Sequence, residues 1–86
     1  MELQFEYKIL DEKINKEEFF EKEGNLPFDG DSKIQMEVMM QEICDKLALK
    51  DEYLIKKLEV TLKYDLPFFA ANRRLAKNWI LENFIF

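Results

Sequence analysis

Between residues 32 and 49, Met36, Met39, Met40, Ile43, Cys44 and Leu47 recur at intervals that place them on one side of an α-helix. Just ahead of them, Ser32 and Gln35 have the spacing of a capping box, so the helix is expected to begin after Ser32 and to reach about Leu49. A helix with so continuous an apolar stripe needs something to bury it. Ile34 and Val38 fall on the opposite side of the same helix, which must then be sandwiched or must offer one side to a partner. The methionines suit either role, since Met fills irregular cores and also adapts to binding partners.

The flanking segments supply what could cover that helix. From Glu2 to Leu10 the residues alternate: Leu3, Phe5, Tyr7 and Ile9 point one way, Glu2, Gln4, Glu6 and Lys8 the other. That pattern predicts a strand with one wet face, followed by a turn at residues 11–13. Asn15 with Glu18, Ile14 with Phe19, and Gly24 have the arrangement of a cap, a staple and a stop for a short helix over about residues 16–23. Residues 25–32, NLPFDGDS, read as a loop.

Residues 51–65 carry two periods at once. Leu54, Ile55, Leu58 and Leu62 would form a helical stripe, while Leu58, Val60, Leu62 and Tyr64 alternate without interruption. Their β-branched and aromatic content favours a strand over about 56–64. Asp65 and Pro67 then read as the cap and first turn of a last helix over about 67–83. In it Phe68, Leu75, Ala76 and Trp79 face inward, and Arg73, Arg74 and Lys77 face out. The expected fold is a single α+β domain spanning 1–86, in the order β-α-α-β-α, with a small antiparallel sheet packed on helices. The ending WILENFIF, residues 79–86, is too apolar to fray. Trp79 and Phe84 are expected in the fold, and Ile85 and Phe86 over a core edge or an oligomer interface.

Histidine is absent, which removes Ser-His and Cys-His nucleophilic systems and the usual zinc sites. The single cysteine, Cys44, lies on an apolar helical face, so packing is expected of it rather than catalysis. The two glycines are isolated, so no phosphate-binding loop is present. FDGDSKI, residues 28–34, resembles the centre of an EF-hand calcium loop, which would set Asp29 and Asp31 at its third and fifth positions. Pro27, Ser32 and Val38 then occupy the places of a first carboxylate, the turn glycine and the bidentate glutamate, so the resemblance fails at defining positions. A turn accounts for both aspartates. No enzyme activity, cofactor or metal is expected.

Charge is distributed unevenly. Residues 1–45 hold thirteen Asp/Glu against five Lys, while residues 46–86 hold five against eight Lys/Arg, within a net charge of −5. An acidic front half favours encounter with basic partners. The expected function is a small, acidic, non-enzymatic protein-binding module that occupies a basic surface of another protein. By analogy of size and charge, this suits inhibitors and accessory proteins such as those of phages and mobile elements. Glu17, Glu18, Glu21, Glu23, Asp29 and Asp31 would make the electrostatic contact, and Phe28, Phe84 and Phe86 the apolar one.

Two alternatives belong to other classes. Arg73, Arg74 and Lys77 in NRRLAKNW could follow a phosphate backbone, as in a nucleic-acid-binding accessory protein. A structural subunit or homodimer would bury the sheet edges and the tail. The opening MELQFEYK lacks the basic start and apolar run of an export signal, and no apolar stretch is long enough to span a membrane. With one cysteine, the setting expected is the cytoplasm.

Overall fold

The computed structural model describes residues 3–10, 13–15 and 17–84, and the order of its elements is α1 (Lys33–Leu47), α2 (Glu52–Tyr64) and α3 (Arg73–Asn83). The helix α1 is central and packs against both others. Its stripe forms the core as expected: Met36, Met39, Met40 and Ile43 are fully buried, together with Phe19, Leu58, Ala76 and Ile80 from the rest of the chain. Ser32 caps α1, accepting the amide of Gln35 at 3.3 Å. Ala48 ends it in the left-handed conformation, at φ 53°, and the Leu49 amide returns to the Cys44 carbonyl at 2.9 Å.

The expected α+β class is overturned, because the described residues contain three helices and no strand. Residues 56–64 are helical. Leu58 and Leu62, one turn apart, are buried, whereas Tyr64 is exposed, so the helical stripe prevails over the alternation. Asp51 caps α2, accepting the amide of Tyr53 at 2.8 Å, and Glu52 pairs with Lys56 one turn on. The physical reason is hydrogen bonding. A lone pair of strands leaves its outer backbone groups bare and is marginal in water. A helix satisfies its own backbone.

The segment 3–10 accordingly has no strand beside it. It lies against α2, bent at Gln4, Phe5 and Lys8, and forms a single parallel bridge, Ile9 to Ser32, with bonds from the Ile9 amide to the Asp31 carbonyl and from the Lys33 amide to the Ile9 carbonyl, both 3.0 Å. Leu3, Phe5 and Tyr7 turn toward the core as the alternation predicts, but Ile9 is exposed. Glu2 and the residues 11–12 of the expected turn lie outside the described residues.

Three further expectations are corrected. Residues 17–23 form hydrogen-bonded turns rather than a regular helix, although Asn15 does accept the amides of Glu17 and Glu18. Gly24 is needed there for space rather than for left-handed backbone. A Cβ on it would sit 2.3 Å from the Phe20 carbonyl oxygen and 2.8 Å from the Arg74 guanidinium, and no glycine has positive φ. The last helix begins at Arg73, not near residue 67. Asp65 closes α2 and Asn72 caps α3, its side chain accepting the amide of Leu75 at 2.8 Å. Residues 66–71 form a loop that ends where Asn72 caps α3.

Candidate functional site

The acidic and basic residues singled out from the sequence meet one another. Arg73 is only 5% exposed, donates to Glu23 at 3.1 Å and stacks on the Phe19 ring with its guanidinium carbon 4.1 Å from the centroid. Its Nε has no hydrogen-bond partner among the described residues. Arg74 donates to the carbonyls of Phe20 and Glu21, closing the end of the 17–23 turns, and Lys77 stacks on Phe20 at 4.6 Å. These three side chains hold α3 against the acidic segment, and an Arg suits the task because its planar fork can pair and stack at once.

The acidic set is divided by these contacts. Glu23 belongs to Arg73, Glu18 pairs with Lys22 at 3.0 Å, and Asp31 lies 3.8 Å from Lys63. Asp29 accepts the amide of Asp31 on Oδ1, the turn expected for this loop, and donates its own amide to Gln35. Glu17 and Glu21 keep exposed carboxylates with no ion-pair partner among the described residues. Of the expected apolar anchors, Phe28 and Phe84 are half-buried against the core, and Phe86 lies outside the described residues.

The most exposed aromatic pair among the described residues includes Phe68, which helical periodicity placed inside. Phe68 is 93% exposed and Phe69 59%, their rings edge to face with centroids 5.8 Å apart. The loop beneath them is fixed at both ends. Leu66 packs on the core and Ala70 is buried, with its amide on the Pro67 carbonyl at 3.0 Å. Next to the loop, Asn72 bridges to Pro27, and the Arg73 amide donates to the Leu26 carbonyl. Leu26 and Leu75, on either side of that junction, are also exposed. The signal missed in the sequence was Asn72, a better cap than Asp65 for the run that follows.

A second surface lies along α1. Phe20, Ile34 and Val38 form the floor of a shallow groove, and Glu37, Glu42 and Asp45 its rim. Elsewhere the chemistry is quiet. Cys44 is buried, which pushes its thiol pKa up, with the neighbouring Asp45 charge adding to the effect. Among the described residues, no cluster of His, Cys, Asp and Glu is arranged to hold a metal ion, and no helix is long and apolar enough to cross a membrane. Comparison with protein-family models, with curated proteins and with solved structures found no match.

Proposed function

We propose that this chain is a small, acidic, non-enzymatic protein-binding module, and that Phe68 and Phe69 anchor it in an apolar pocket of its partner. The observation that carries this reading is the bare aromatic pair on a loop fixed by Ala70 and Asn72. A loop whose backbone is fixed before binding loses little freedom on contact, and aromatic side chains are enriched at the cores of protein interfaces. Each ring offers on the order of 150–250 Å² of contact. The pair therefore falls short of the roughly 800 Å² per partner of a stable interface, so it acts as the anchor of a wider contact and not as a dimer seam.

The net charge of −5 and the exposed carboxylates of Glu17 and Glu21 favour a partner whose surrounding surface is basic. An inhibitory or accessory role at such a surface is the form of module that fits, and the single buried Cys44 suits a reducing cytoplasm. The nucleic-acid alternative has no observation in its favour, since Arg73 is buried and Arg74 and Lys77 are engaged with the 17–23 segment. The test is quantitative affinity capture from the native cell with the wild-type chain and with Phe68→Ala/Phe69→Ala. A basic protein captured by the wild type and lost with the double variant is expected. Equal recovery by both chains would overturn the assignment.

A further inference from the structure

We infer that the groove along the outer face of α1 is the seat of a basic amphipathic helix supplied by a partner protein. The inference rests on the protein-binding reading above but uses a surface separate from the Phe68–Phe69 tip. Ile34, Val38, Glu42 and Asp45 come from one side of α1, and Phe20 completes the floor from the turns before it. From Ile34 to Asp45 the groove follows three turns of helix, about 16 Å at the usual rise, which matches an equally long stretch of a docked helix. Helices that dock in this way place apolar side chains on the floor and polar ones along the rim.

The charge of the rim identifies the occupant. Glu37, Glu42 and Asp45 line the groove without a Lys or Arg among the lining residues, and none of the three takes part in an ion pair among the described residues. Asp45 accepts only a neutral donor, Nε2 of Gln41, at 2.9 Å. Asp45 also sits in the last turn of α1, where the helix dipole disfavours a negative charge. The first turn of α1, where carboxylates would be favoured, has none. An acidic residue kept where it does not help the fold is explained by a cationic partner. A second copy of this chain is a poor occupant, because it brings the same −5 and its Arg73, Arg74 and Lys77 are held internally.

The experiment uses the full chain and a fluorescent synthetic peptide of about 16 residues, long enough to form a helix on a surface, with Lys and Leu in amphipathic order. A peptide of the same composition, scrambled to remove the apolar face, and a Glu/Leu counterpart are the controls. Anisotropy gives the affinity and methyl chemical shifts at Ile34 and Val38 give the location. The Lys/Leu peptide is expected to bind with shifts at those methyls and to weaken in high salt. Binding should fall at least tenfold in Glu37→Lys/Glu42→Lys/Asp45→Lys and also weaken in the milder Glu37→Gln/Glu42→Gln/Asp45→Asn, which keeps the shape of the groove. Phe68→Ala/Phe69→Ala should leave it unchanged. Binding equal to that of the scrambled peptide, shifts away from Ile34 and Val38, or indifference to both groove variants would overturn the inference. Seating of the peptide in a chain whose Phe68 meets no cellular partner would remove the tip as the anchor and leave the groove standing.

Discussion

The hydroxyl of Tyr7 donates to Oε2 of Glu59 at 2.5 Å, joining the N-terminal segment to the middle of α2. The same carboxylate accepts the amides of Gln4 at 2.9 Å and Phe5 at 3.4 Å, and the Gln4 side chain donates to the Lys56 carbonyl. One glutamate, only 1% exposed, thus provides acceptors that a neighbouring strand would otherwise have supplied. It is how a segment with the pattern of a strand is held in a protein whose described residues contain no sheet.

Removal of that carboxylate leaves one buried and two partly buried donors without their acceptor, a buried one costing about 1–3 kcal/mol. Glu59→Ala is therefore expected to destabilise the fold by about 3 kcal/mol, and Tyr7→Phe by about 1 kcal/mol. Urea denaturation checks both values. Hydrogen exchange should show the amides of Gln4 and Phe5 losing protection in Glu59→Ala while α1 keeps it.

Tyr7 also gives the protein an alkaline limit. Burial, then the hydrogen bond to Glu59 and its charge, raise the phenol pKa well above the ordinary tyrosine value. The folded state therefore holds this proton after the unfolded chain has released it. Its contribution is complete below about pH 10, the ordinary tyrosine pKa, and declines as pH rises beyond that. Stability measured by denaturation from pH 9 upward should fall with a slope that Tyr7→Phe reduces.

Ala48 is a left-handed residue with a side chain, at φ 53°. Glycine takes that conformation without the steric penalty of about 1–2 kcal/mol. Ala48→Gly is expected to stabilise the protein by about 1 kcal/mol after the greater freedom of glycine in the unfolded chain is counted. That corresponds to a rise in Tm of roughly 4–8 °C for a domain of this size, measurable by calorimetry.

At Gly24 the opposite holds. A methyl group there meets the Phe20 carbonyl oxygen and the Arg74 guanidinium, and the oxygen belongs to backbone that cannot swing aside. Gly24→Ala is expected to destabilise by about 2 kcal/mol. It should also disturb the packing of Lys77 on Phe20, visible as shifted ring resonances.

What the sequence revealed depended on whether local signals agreed. For α1 the Ser32 cap and the helical spacing of Met36, Met39, Met40 and Ile43 point to one answer, and the helix is found there. For residues 52–64 two periods coexist, and the choice was made by the lack of another strand to complete a sheet, which no single segment reveals. Pro67 is as compatible with a loop as with a first helical turn, so the position of Phe68 turned on Asn72. The acidic candidates show the same limit. Nothing near Glu23 in the chain announces Arg73, fifty residues on, as its partner, while Glu17 and Glu21 are exposed as their sequence context suggests.

Whether Phe68 enters a partner is decided by site-specific photocrosslinking. A benzophenone side chain at position 68 should trap one basic protein in the native cell. The same group at Tyr53, also bare to solvent but away from the loop, should not. Trapping at position 68 that is no more selective than at position 53 would mean that Phe68 is not the anchor.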